Sequence, residues 1–238
     1  MARAMGMGKM YEVTIVGMGR VGSAIANALL LLSKGIHVNC IEPYRPNWKH
    51  ALGEIYDLLP VAVATGNEFT WDNRVPSNSS IYVITSGKPR QSPKETKENL
   101  YWTNMPIVEK IMKDIPKDVP VFIVTNPPNI IAQTLRGNSP LCPRWHAYPL
   151  RAVTDDVRAA GATAICMDGK ELNNETLRRK GFTQYTPGFA CAQYILREIE
   201  FQQKATCYED VAVMMRWNNG RNKAPVRRKD GLKDRKNR

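Results

Sequence analysis

The chain has 238 residues, 43% apolar and 24% charged, enough to bury a core of ordinary globular size. No stretch approaches the ~20 apolar residues that span a bilayer, and the first ten residues lack the apolar run of a secretory signal. A cytoplasmic protein without membrane contact is therefore expected. Five dispersed cysteines with no close pair argue against a disulfide framework and a metal site. The formal charge of +12 is uneven: Arg216 to Arg238 carries +8 and the 215 residues before it only +4.

In chain order, Tyr11–Val16 reads as a strand that ends at Gly17, and Arg20–Lys34 as a helix with Val21, Ile25, Ala28, Leu29 and Leu32 on one face and Gly35 beyond its end. A strand follows at His37–Ile41 and a helix at Trp48–Leu59. Ile81–Thr85 is the next strand, then a Ser/Pro/Lys loop and a helix over Glu95–Lys113. Val119–Thr125 is another strand, and Pro127–Pro128 opens a short helix to Arg136. Continuous apolar strands alternating with helices require a parallel sheet covered on both faces. After Gly137 the pattern loosens. Asn138–Pro149 reads as an irregular crossover, followed by a helix near Val153–Ala160, a strand Ala162–Met167, a turn at Asp168–Gly169 and a long helix over Thr186–Lys204. The expected organisation is an extension over 1–10, a doubly wound α/β domain over 11–137, a smaller α+β part over 138–215 and a basic tail over 216–238.

The chemistry is concentrated at the end of the first strand. Gly17, Gly19 and Gly22 form G-x-G-x-x-G between a strand and a helix. The first glycine permits a tight turn, the second a close approach of backbone to a pyrophosphate, and the third close packing of helix on sheet. The helix start offers its free N–H groups to an anion. Glu42, at the end of the second strand, stands where a carboxylate would accept the hydroxyls of an adenosine ribose and repel a 2′-phosphate. NAD rather than NADP is the expected cofactor, with its occupancy left open.

Further motifs extend the pattern. Gly53, Glu54, Asp57 and Leu58 give G-E-x-x-D-L, and Ile84-Thr85-Ser86-Gly87-x-Pro89-Arg90 gives I-T-S-G-x-P-R. Leu100, Asn104, Ile107 and Val108 give L-x-x-x-N-x-x-I-V, and Val124-Thr125-Asn126-Pro127 gives V-T-N-P. In this order, from residue 11 to about 136, they resemble the dinucleotide-binding half of the lactate/malate dehydrogenases. That resemblance implies a Rossmann domain with Thr85, Gly87 and Asn126 beside the cofactor and Arg90 as a substrate arginine. Phe182–Gly188 is similar to a late helix of the same family, which implies a contracted substrate domain.

The resemblance is incomplete where the family does its chemistry. Lys97 stands where a second arginine belongs, and lysine lacks the planar fork that grips a carboxylate. Asp155 and Arg158 form a D-x-x-R at about the distance from Asn126 that the resemblance implies for the family's aspartate and substrate arginine, and an exposed ion pair explains it equally well. The family's G-x-H-G-D loop has no counterpart; the histidines are His37, His50 and His146. A proton donor near neutral pH is therefore missing from its expected place. The tail supplies Arg216, Arg221, Lys223, Arg227, Arg228, Lys229, Lys233, Arg235, Lys236 and Arg238, with Trp217 able to stack on a base. The expectation is a pseudoenzyme recruited to RNA, as a ribosome constituent touching ribosomal RNA and ribosomal proteins. An NAD-binding regulatory protein and an NAD-dependent malate or lactate dehydrogenase remain as alternatives.

Overall fold

The computed structural model describes residues 10–90, 95–116, 119–138, 150–152, 178–180 and 183–205. Six parallel strands lie in the order β3-β2-β1-β4-β5-β6: β1 (Tyr11–Val16), β2 (Ile36–Ile41), β3 (Glu68–Asp72), β4 (Ile81–Ile84), β5 (Val121–Ile123) and β6 (Leu150–Ala152). Between them run α1 (Arg20–Leu32), α2 (Trp48–Thr65), α3 (Lys97–Met112) and α4 (Pro128–Gln133), and α5 (Tyr185–Ala205) follows. This is the doubly wound α/β sheet expected from the alternation of strands and helices. The winding reverses between β1 and β4, which opens a crevice at their carboxyl ends.

The register shows how both faces are covered. Val16 pairs with Ile41 and Ile84, and Ile84 with Ile123. This row packs under Val108 and Met112 of α3 and Ile131 of α4. One residue earlier, Ile15 pairs with Cys40 and Val83, Cys40 with Trp71, and Val83 with Phe122, so these side chains point to the other face. There the Phe122 ring meets Tyr194 of α5 edge-on at 5.5 Å. A Cβ on Gly188 would lie 2.6 Å from the Ala24 side chain, so α5 also crosses α1 closely. The described residues fall into two units that divide after Arg197, and these contacts all lie in the first.

Several boundaries differ from the sequence reading. Helix α2 runs on through Pro60 to Thr65 and ends at Gly66, whose φ of 72° is left-handed. Proline removes one hydrogen bond to the carbonyl of Tyr56, but both residues are exposed, on the side of the helix where a missing bond costs least. β3 carries no predicted element. It is an edge strand of sequence EFTWD with mostly exposed side chains, so it lacks the apolar run that marks its neighbours. β5 is shorter than Val119–Thr125, and α1 stops at Leu32. Its end is held by Asn67, a buried residue whose Nδ2 donates to the carbonyls of Leu30 (2.8 Å) and Ser33 (3.0 Å) while its Oδ1 accepts from Ile36 N (3.1 Å). β6 continues the sheet with residues beyond 137. The predicted helix at 153–160 and strand at 162–167 lie outside the described residues.

Candidate dinucleotide site

The three glycines of the β1–α1 turn have three different physical reasons. Gly17 has φ 113° and is wedged against the end of β4: a Cβ there would lie 2.5 Å from the Ser86 nitrogen. Gly22 is pressed against the turn itself, and its Cβ would fall 1.9 Å from the Gly17 carbonyl oxygen. Gly19 is different. It is exposed, has an ordinary extended backbone (φ −80°, ψ −172°), and a Cβ there would meet nothing within 4 Å. The protein therefore does not need glycine at 19 for itself; the space in front of the turn does. Gly19 is also the N-cap of α1, with no side-chain cap and no acidic residue in the first turn. The positive end of a 13-residue helix thus faces that space.

The turn is held from β4. Thr85 N, Ser86 N and Ser86 Oγ all donate to the Val16 carbonyl, at 2.9, 3.0 and 3.0 Å. Thr85 Oγ1 donates to the Gly17 carbonyl at 2.5 Å. The hydroxyl of Thr85, expected beside a cofactor, is therefore used to shape the glycine turn. On the other side of the turn, Glu42 Oε2 accepts from Met18 N at 3.0 Å and Oε1 from Tyr44 N at 2.9 Å. The Glu42 carbonyl accepts from Trp48 Nε1 at 2.9 Å, and the Trp48 ring meets Trp71 edge-on at 6.0 Å.

Gly87 and Asn126 come together at the ends of β4 and β5 through a residue that lies between them in the chain. Asn104, buried on α3, accepts from Lys88 N (2.7 Å) and donates to the Asn126 carbonyl (2.8 Å). Thr125 Oγ1 donates to the Ser86 carbonyl at 2.8 Å. A Cβ on Gly87 would lie 2.6 Å from Thr125 Cγ2, so this strand end also admits only glycine without movement. Sequence reasoning placed Asn104 in a motif without giving it a role. The available signal is an amide on the stripe Leu100, Asn104, Val108, Ile111 that α3 otherwise fills with buried apolar residues.

The substrate side is less complete. Arg90 is exposed three residues past Gly87, and Lys97 is exposed at the start of α3. Residues 91–94, Asp155, Arg158, His146 and the whole basic segment from Arg216 to Arg238 lie outside the described residues. His37 sits at the amino end of β2, away from the crevice, with Nδ1 3.3 Å from Glu12 Oε2 and Nε2 2.6 Å from Thr70 Oγ1. His50 lies on α2, 3.6 Å from Glu54. His37 is thus engaged at the other end of the sheet from the glycine turn, and His50 pairs within its own helix. Among the described residues no group of three or more His, Cys, Asp or Glu could hold a metal, and no helix is long and apolar enough to cross a membrane.

The family model for the NAD-binding domain of lactate/malate dehydrogenases matches residues 11–145. The chain belongs to that family. A probable L-lactate dehydrogenase of Schizosaccharomyces pombe is 31% identical over 128 residues, 52% of this chain and 38% of the relative. A malate dehydrogenase of Cytophaga hutchinsonii is 29% identical over 185 residues, 72% of this chain and 57% of the relative. The matched part thus spans less than two thirds of either family member. A solved lactate dehydrogenase of Eimeria maxima, holding NADH and oxamate, superposes with a TM-score of 0.59 at 14% identity, over 80% of this chain and 75% of that one. At that identity the likeness establishes the shared fold.

Proposed function

We propose that this protein binds NAD in the crevice between β1 and β4. The observation that carries the reading is Gly19, an exposed glycine whose absent side chain no protein atom requires, at the uncapped start of α1. The α1 amides and dipole would bind the pyrophosphate, and Glu42 would accept the hydroxyls of the adenosine ribose. When bound, NAD supplies a hydride acceptor. Asn126, just past β5, and Arg90, in the loop after β4, would face the nicotinamide end and orient a small carboxylate substrate. The named lactate and malate dehydrogenases favour oxidation of a 2-hydroxy acid as the associated reaction. Such turnover needs an acid/base that neither His37 nor His50 provides from where it stands.

The test is calorimetric titration of the full chain with NAD and NADP, followed by NADH absorbance with oxaloacetate or pyruvate. NAD binding, at least tenfold tighter than NADP because Glu42 repels the 2′-phosphate, is expected. Binding of neither nucleotide overturns the proposal. Steady NADH oxidation, abolished by Gly19→Trp, would assign dehydrogenase activity; its absence would leave dinucleotide binding as the function. A second reading rests on a separate observation, the +8 charge of Arg216 to Arg238. A segment of that density neutralises phosphates, which favours RNA, including ribosomal RNA, as a partner. Sedimentation of the full chain with ribosome-sized particles at low salt tests it.

A further inference from the structure

The acid at the end of β2 does more in this chain than face a ribose. Both of its oxygens accept hydrogen bonds from backbone amides: Oε2 takes the amide of Met18, the middle of the first G-x-G, and Oε1 takes the amide of Tyr44 in the loop after β2. Met18 is fully buried, so its amide has no ready substitute in water. Met18 and Tyr44 belong to different βα turns, and the carboxylate bridges them. The bridge is braced from behind, because the Glu42 carbonyl accepts from the Trp48 indole, which packs against Trp71.

We infer that Glu42 is a positioning residue for the glycine turn, a clamp that fixes the Met18 backbone and hence Gly19 in the phosphate-binding shape independently of any contact with the ribose. The chemistry permits both roles. An ionised carboxylate offers about four acceptor sites; two are used by the amides, and two remain for the ribose hydroxyls. It also makes glutamine a poor replacement. An amide group has one oxygen and one NH₂, and in either orientation the NH₂ confronts an N–H donor, at Met18 or at Tyr44.

The inference rests on the NAD reading only for its ligand arm, so the test has two parts. In the nucleotide-free full chain, hydrogen exchange is followed at the Met18 and Tyr44 amides in wild type, Glu42→Gln and Glu42→Ala, with the Ile25 amide of α1 as a control for global opening. Loss of one charge-assisted hydrogen bond predicts exchange about tenfold faster at Met18 or Tyr44 in Glu42→Gln, and at both in Glu42→Ala, with Ile25 unchanged. In the second part, calorimetry compares NAD with a deoxy NAD that lacks both the 2′- and 3′-hydroxyls of its adenosine ribose. A clamp predicts that Glu42→Ala weakens both ligands, with a loss of about tenfold for the deoxy ligand. A residue that only reads the ribose predicts no loss for the deoxy ligand and unchanged amide exchange, and that result would overturn the inference. If Glu42→Ala does not fold, the near-isosteric Glu42→Gln carries both parts. If wild type binds neither ligand, the NAD reading fails, while the exchange experiment still decides the clamp.

Discussion

Substituting alanine separately at Gly19 and Gly22 separates what the turn does for the fold from what it does for a ligand. At position 22 the new methyl would lie 1.9 Å from the Gly17 oxygen, more than 1 Å inside an ordinary contact. Gly17 has little room to retreat, because its own surroundings at Ser86 would leave a Cβ only 2.5 Å. The strand–helix turn must open, at a cost near the top of the overpacking range, about 2–3 kcal/mol. At position 19 the backbone is already in a conformation open to any residue, and the methyl meets no protein atom. The cost there is that of alanine for glycine at an N-cap, below about 1 kcal/mol. The same methyl occupies the ground a pyrophosphate would use. Loss of two amide–phosphate hydrogen bonds, each about 1.5 kcal/mol or more, predicts NAD binding weakened about a hundredfold. Urea unfolding and calorimetry on the same preparations give both quantities. Gly22→Ala should lower the unfolding midpoint strongly, whereas Gly19→Ala should leave the midpoint nearly unchanged and abolish most of the binding. A Gly19→Ala protein that binds NAD like wild type would refute the assignment of that space to the nucleotide. A Gly22→Ala protein as stable as wild type would refute the packing argument.

Asn67→Ala should cost about 2–4 kcal/mol in urea unfolding, because Ile36 N–H and the carbonyls of Leu30 and Ser33 lose a buried partner together; a cost below 1 kcal/mol would show that water replaces the amide. Burial pushes the Cys40 thiol up, so the folded protein keeps it protonated while the unfolded chain ionises it in the ordinary thiol range. The stability it contributes is complete at low pH and is lost as pH rises above about 8.5, at up to about 1.4 kcal/mol per pH unit. The pH profile of unfolding should flatten there in Cys40→Ala, and an unchanged profile would refute this. If five to eight of the tail's cations meet phosphates, log K for RNA should fall against log salt with a slope of about −4 to −7. Deleting 216–238 should remove that binding with the unfolding midpoint of the sheet unchanged; an affinity that ignores salt would refute the RNA reading.

The glycine turn, Glu42 and the alternation of elements were legible in the sequence because each leaves its residue types at fixed, short spacings along the chain, whatever distant contacts they later make. A turn needs glycine at set offsets, a buried parallel strand needs an unbroken apolar run, and a helix shows its period. The sequence likewise determined the charge asymmetry between the tail and the rest of the chain. What it left invisible depends on partners far away in the chain. β3 is a strand because β2 lies beside it, not because EFTWD announces one. Pro60 is tolerated because α2 turns that side to water. Asn67 and Asn104 are polar residues that bond to backbone groups 16–37 positions away, so their roles appear only when α1, β2, β4 and β5 are brought together. His37 shows the same limit from the other side. In the sequence it is one of three histidines with no assigned role, and only the packing of β1, β2 and β3 places Glu12 and Thr70 around it, at the end of the sheet opposite the glycines.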